Sequence, residues 1–306
     1  MRIGINGSGL LARPNLQTMV DNITQAEQDG FSSYWLAQTG LVDALTVFSV
    51  AGSQTSTIEL GTAVIPTWPR HPQALAAQAL TTQAATGGRT TLGIGLAHKM
   101  SVEQQWKMTW TKPIRHMLDY LDVLEGLLAS GKASHDGEVW SFAGEMARPT
   151  EDAPSLMLAA LGDQMLRIAG ARSDGTILWC VGPKTLEQQI VPRINDAAAD
   201  AGRPTPRTVC SLPVWVTDRP EDAHKTVAGA LTIYGQLPSY RAMLDIEGVD
   251  GPADISLIGS AEQVTEGLGA VAAAGATDFT AVVQGFDADE QAETWRVLAD
   301  FAASSS

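Results

Sequence analysis

The stretch Arg89–Gly95 (RTTLGIG) runs directly into Leu96-Ala97-His98. An imidazole at a strand exit can take up or release a proton near neutral pH. His98 is therefore a candidate to orient a cofactor or protonate a substrate, the bland alternative being a bond to a loop carbonyl. A second chemical feature is Ala160-Leu161-Gly162-Asp163-Gln164-Met165, where a strand passes into a helix. Free N–H groups at a helix start suit a phosphate, and Gly162 lets the backbone approach it. Asp163 is unfavourable beside an anion and reads as the helix cap. Trp179, closing the apolar run GTILW, lines the same pocket. Trp68, Trp106 and Trp110 stand in the connections after two strands. Their faces either hold an apolar or planar substrate or pack an insertion against the body.

Other chemistries lack their residues. Gly93-Ile94-Gly95 is followed by His98 where the dinucleotide fingerprint requires glycine, and no acidic residue follows at the proper distance. Five histidines lie scattered without an HExxH pair, so no metal site is expected. Cys180 and Cys210 sit in apolar runs and read as buried, reduced thiols. The formal charge of −14 argues against nucleic acid as a partner and suits a solvated acidic surface. No cluster of Lys or Arg marks a sugar-phosphate pocket. No apolar run reaches the roughly 18 residues of a membrane span. A signal-peptide pattern is missing after Met1-Arg2, so a cytoplasmic protein is expected.

The elements that would position these residues follow one grammar. Ile58–Ile65 is apolar and β-branched enough for a buried strand, and Pro66 and Pro69 stop it. His71-Pro72 then opens a helix reaching about Ala85. Further strands are read at Arg2–Asn6, Ser33–Ala37, Arg89–Gly95, Ser155–Ala160, Gly175–Val181, Thr208–Val216 and Asp278–Gln284. Helices fall between them, including Asn15–Asp29, Asp43–Gly52, Asp163–Ala171 and Pro220–Glu247. Gly7-Ser8-Gly9 reads as a flexible exit, and Asp136-Gly137 as the turn of a short hairpin. Eight strands, each followed by helix, make an α/β (β/α)8 TIM barrel the economical solution. It forms a single domain over 1–303, with an insertion at 98–152 after strand four, extra helices after strand seven and a frayed tail at 304–306.

Three segments in order, LGTAVIPTWPRHP, GRTTLGIGLAHK and LAALGDQMLRIAGARSDGTILW, resemble the luciferase-like monooxygenase superfamily. The narrower resemblance is to its actinobacterial branch that uses the deazaflavin coenzyme F420. It spans essentially the whole chain. It implies a non-prolyl cis peptide at Ala63-Val64, after Gly61-Thr62, bulging against the central ring of the cofactor. It also implies cofactor contacts from Thr62, Gly95, Leu96 and the strand-two tip at Gln38 and Thr39, with the glycines of strand four letting the backbone approach the flat ring. Related enzymes often carry an acid or histidine at that tip, so Gln38-Thr39 is a departure. Gln38 would instead bond the ring's carbonyl edge. His71 matches a helix-start motif and so has a structural role. The implied activity is hydride transfer between reduced deazaflavin and a small organic acceptor of enone, imine or nitro type. Flavin mononucleotide with oxygen is the alternative within the fold, and a non-catalytic deazaflavin-binding protein the alternative outside enzymes. The resemblance also implies a homodimer.

Overall fold

The computed structural model describes residues 1–304. Eight parallel strands close on themselves: Arg2–Asn6, Ser33–Leu36, Glu59–Thr62, Thr90–Gly95, Ser155–Leu158, Gly175–Trp179, Arg207–Val216 and Asp278–Val283. They are numbered one to eight below. Strand eight pairs with strand one and strand six with strand seven, so the barrel has no open edge. Helices surround it, as the (β/α)8 reading requires. No helix among the described residues is long and apolar enough to cross a membrane.

Charge seals the lower, N-terminal end. Arg207 reaches Glu59 at 2.8 Å and Asp278 at 2.7 Å, while Arg2 pairs with the same two carboxylates at 2.6 and 3.3 Å. Thr91 donates to Glu59 at 2.6 Å. Burial raises the Glu59 pKa, but the hydrogen bonds and charges of Arg207 and Arg2 outweigh it and hold the carboxyl below its ordinary value. Above this floor, Trp35, Met157, Ile177 and Val209 meet in one cluster with Ala63 and Val64. These residues come from strands two, five, six and seven and from the end of strand three, so the cluster lies in the barrel lumen. Trp35 is fully buried and donates to Ser33 at 2.9 Å. Its ring fits because strand three has Gly61 opposite, where a Cβ would lie 2.3 Å from it.

Several sequence expectations need correction. Strand three ends at Thr62, and the extended chain resumes only at Ile65–Pro66, which pairs with strand four. Between them the Ala63-Val64 peptide is cis, as the resemblance implied. The exit Gly7–Ala12 is a 3-10 helix, capped by the Asn6 side chain. Pro220–Glu247 is three helices, Pro220–Ala230, Thr232–Gln236 and Pro238–Glu247. Proline disfavours helix in the residue before it, and Leu237 is extended at ψ 126°. A strand at Leu257–Gly259, unforeseen in a Gly/Pro/Asp-rich loop, pairs with Val214–Val216. Within 98–152, Pro113–Ser130 is the barrel's own fourth helix, so the additions are the connection before it and the hairpin Lys132–Asp136/Ser141–Glu145. Ser304 belongs to the last helix, Ala288–Ser304, and not to a tail; the remaining tail residues lie outside the described ones.

Glu27 joins the first helix to the start of strand three. Its carboxylate accepts from the backbone N–H groups of Ser56, Thr57 and Ile58 at 2.8, 2.6 and 2.9 Å. Burial raises its pKa, but these donors reverse the effect and bring it down to about 2. A carboxyl depressed in the folded state stabilises above its unfolded pKa, and that contribution is lost as pH falls through the folded value. We expect the Glu27 contribution to the melting temperature to be constant above about pH 5 and to be lost between about pH 4.5 and pH 2. Glu27→Gln should flatten that acid limb, and an identical limb in the variant would dismiss the assignment. Arg207→Met would leave Glu59 and Asp278 short of a partner. Removing one member of a buried ion pair costs about 3–5 kcal/mol, which urea unfolding would show as a lowered midpoint.

Candidate active site

The upper, C-terminal ends of the strands bring most of the predicted residues to one face. Ala63 hangs from the Leu36 carbonyl by its N–H at 2.9 Å, and the Gln38 N–H reaches the Val64 carbonyl at 3.4 Å. The Gln38 side-chain oxygen accepts from Ala44 N at 3.4 Å, and no partner among the described residues engages its amide N–H groups, which remain for a ligand. Thr39 is exposed beside it. Thr62 points elsewhere, its buried hydroxyl donating to the Gly93 carbonyl and accepting from the Gly93 N–H, both at 2.8 Å. It splices strands three and four together and has no hydroxyl free for a cofactor.

The glycines of strand four also serve a different purpose from the one expected. A Cβ on Gly93 would fall 2.0 Å from the Thr62 carbonyl oxygen, and one on Gly95 2.8 Å from a Val64 methyl. They make room for the barrel's own wall rather than directly for a ring. Gly95 thereby lets Val64 sit close under the mouth. Ala97, after Leu96, adopts left-handed backbone at φ 59°, and Cys180, after Trp179, does so at φ 54°. Non-glycine residues in this region are uncommon and gather at ligand sites.

Between these two residues stand His98 and Trp179, joined by rings that the sequence reading missed. His98 lies 5.8 Å from Tyr240 and 6.2 Å from Tyr234, and Trp179 lies 6.1 Å from Tyr234. Both tyrosines ride on the helices after strand seven. Burial lowers the His98 pKa, so the imidazole is neutral at neutral pH. The available signal was the pair of tyrosines flanking Pro238, which a continuous helix would have kept on separate turns of one rod.

At strand five, Ala160 is buried, Leu161 and Met165 pack against the core, and Gln164 is exposed. The helix Asp163–Arg172 begins with Gly162 as its cap, not Asp163. Asp163 instead pairs with Arg193 at 2.8 Å and accepts from Gln189 at 2.8 Å. A cation therefore offsets the one carboxylate beside the helix start. A Cβ on Gly162 would meet nothing within 4 Å, so the space beside the helix start is open.

The tryptophans of the insertion divide. Trp68 is 5% exposed and stacks on His116 at 4.0 Å and on Trp110 at 5.2 Å, which is the packing alternative. Trp106 is half-buried at the end of the turn Ser101–Gln105. His71 caps its helix through Nδ1, which accepts from Gln73 N at 3.1 Å. Cys180 and Cys210 are buried free thiols.

His116 links this insertion to the mouth. Trp140 Nε1 only donates, so the contact at 3.3 Å makes His116 Nδ1 an acceptor and leaves the proton on Nε2. His116 Nε2–H then donates to Thr67 Oγ1 at 2.9 Å, and Thr67 donates to the Gly95 carbonyl at 3.3 Å. Burial pushes the His116 pKa down to about 4 against the pull of Asp119, which keeps this tautomer neutral. Asp119 anchors the same hairpin, accepting from Val139 N at 2.7 Å, His135 at 3.0 Å and Arg115.

The sequence profile of the luciferase-like monooxygenases matches residues 3–278, and the chain belongs to that family. A 5,10-methylenetetrahydromethanopterin reductase from Methanolobus tindarius is 28% identical over 239 residues, covering 77% of this chain and 72% of that protein. Two solved structures share the fold. The coenzyme F420 dependent tetrahydromethanopterin reductase of Methanopyrus kandleri superposes with a TM-score of 0.79 at 17% identity, over 99% of both chains. The oxygenating constituent of the 3,6-diketocamphane monooxygenase of Pseudomonas putida, a type II Baeyer-Villiger enzyme in complex with FMN, gives 0.79 at 17% identity, over 99% of this chain and 98% of that one.

Thr67→Val would strip His116 Nε2–H of its acceptor inside a closed site. A buried donor left without a partner costs about 1–3 kcal/mol, read as a lower midpoint in denaturant unfolding. A midpoint equal to wild type would show that the chain of hydrogen bonds holds nothing in place.

Proposed function

We propose that this chain is an oxidoreductase of the family that uses coenzyme F420, moving a hydride between the reduced deazaflavin and a small organic acceptor of enone, imine or nitro type. The observation that supports it most is the character of the mouth. Gln38, Ala63, Val64, Gly95, Leu96 and Trp179 offer an uncharged wall, with His98 at one side and the open helix start at Gly162 at the other. A flat, neutral ring with an anionic tail suits that distribution. When bound, the deazaflavin supplies the hydride.

In this reading Val64 and Gly95 form the platform under the ring, and the Gln38 amide bonds its carbonyl edge. The amides after Gly162 receive the phosphodiester of the tail, with Leu161 and Met165 as the apolar side. His98 keeps the ring oriented while neutral, and its protonated form can give the acceptor a proton and return to neutral imidazole. Asp163, paired with Arg193, leaves the tail without a bare carboxylate next to it. Cytoplasmic residence and pairing as a homodimer belong to the same proposal. FMN with oxygen is the second reading, supported by the FMN-bound neighbour of the same fold.

Absorbance titration with each cofactor separates the readings. Tight binding of the deazaflavin with substrate-dependent oxidation is the expected result. FMN binding with oxygen consumption would overturn it in favour of a monooxygenase, and deazaflavin binding without turnover on a broad acceptor panel would leave a carrier protein. His98→Gln should lower turnover more than cofactor affinity. In the wild type, turnover should fall as pH rises through a value below the ordinary 6.5 of histidine, where the imidazolium that gives the proton is lost, and the variant should lack that limb. An unchanged pH profile removes His98 from proton handling. Gly162→Leu should weaken cofactor binding about tenfold or more by filling the space before the amides; undiminished affinity would move the tail elsewhere.

A further inference from the structure

Four aromatic side chains from three separate stretches converge on the mouth. Tyr234 and Tyr240 meet at 5.0 Å with planes at 71°, His98 meets Tyr240 at 61° and Tyr234 at 80°, and Trp179 meets Tyr234 at 74°. The set is edge-to-face throughout, which presents ring faces and ring edges together to anything lying against it. Trp179 Nε1 is buried without a hydrogen-bond partner; the Tyr234 hydroxyl is its neighbour but closes no bond of proper geometry. A buried indole N–H in this state is a donor awaiting an acceptor. Burial raises the pKa of both tyrosines, so their hydroxyls remain protonated donors. On the same end, Met100 and Met108 after strand four and Ile233 beside Tyr234 are exposed apolar residues. Of the tryptophans read from sequence as a substrate wall, Trp68 stacks on His116 and Trp110 on Trp68 instead.

We propose that Trp179, Tyr234, Tyr240 and His98 form the substrate seat, and that it selects a planar, apolar, conjugated carbonyl compound whose oxygen accepts from Trp179 Nε1. The seat deepens the hydride-transfer reading above and rests on it for the reaction that follows binding. Conjugation matters because a flat π-system lies against ring faces and edges that a branched aliphatic chain only touches. The helices Thr232–Gln236 and Pro238–Glu247 set the selectivity, since they carry two of the four rings. Glu247 fixes the second helix to the strand-six exit, accepting from Thr185 N at 2.8 Å and Lys184 N at 3.2 Å.

Calorimetric titration tests the seat without turnover. The probes are benzylideneacetone, a planar enone, and 4-methylpentan-2-one, a branched aliphatic ketone. Each is titrated into the chain alone and into the chain loaded with oxidised deazaflavin. The wild type should bind the enone about tenfold or more tighter than the aliphatic ketone. Tyr234→Leu and Tyr240→Leu should each weaken the enone about three- to tenfold and leave the aliphatic ketone unchanged, whereas Trp179→Phe, which removes the donor to the carbonyl, should weaken both. Equal affinity for the two probes, no enone binding by either form, or variants that bind like wild type would overturn the proposal. Melting curves accompany each variant. Should Tyr240→Leu melt early, the partly exposed Tyr234 carries the test. Deazaflavin affinity is measured separately by absorbance, so a chain that binds the enone in this pattern but refuses the deazaflavin sinks the hydride-transfer reading and keeps the seat.

Discussion

Arg207 holds the barrel together at its closed end. It is the residue that spans from strand seven to Glu59 on strand three while also gripping Asp278 on strand eight. Arg2 repeats both contacts from strand one. Four strands are thereby registered by one charge network, buried at Asp278 and still open to water at Arg2. A buried ion pair adds little net stability over an apolar substitute, but it is unforgiving of a missing partner. The consequence for function is directional. With the lower end plugged by paired charge, a ligand has the upper end to enter, which is where barrels of this kind carry their chemistry.

The lumen above the plug explains why the mouth is lined by uncharged residues. One large ring, Trp35, fills the middle, and glycine at 61 and 93 clears space for Trp35, the Thr62 carbonyl and Ile177. The top layer is left with Gly95, Ala63 and Val64, side chains too small to close it. Their backbone is held on one side by the end of strand two, through the Leu36 carbonyl and the Gln38 N–H, and on the other from outside the barrel by the Trp140–His116–Thr67 relay. The insertion is therefore a brace for strand four, and its hairpin matters to the site without reaching it.

Most of the barrel was legible because parallel strands buried on both faces are continuous apolar runs closed by proline or glycine. Ser33–Leu36 and Asp278–Val283 are of this kind. Leu257–Gly259 was not, since three residues among Gly, Pro and Asp carry no period. Helices announced by Asn15, Asp43 and His71 were readable from their caps. Asp163 misled, because a side chain that can cap is also one that can pair with Arg193, and the choice is tertiary. At the site, residues at strand tips were found and those brought in from elsewhere were not. His98 follows its strand by three positions and Trp179 closes its own, whereas Tyr234 and Tyr240 arrive over a break at Leu237. Cis geometry at Ala63-Val64 leaves no local mark in composition and was reachable only through resemblance.

A crystal grown with the deazaflavin puts the central claim to the most direct test. Difference density for the tricyclic ring should lie against Val64 and Gly95, with the tail running toward the amides after Gly162. Density on another face of the barrel, or a mouth empty of the ring at saturating cofactor, would contradict the account.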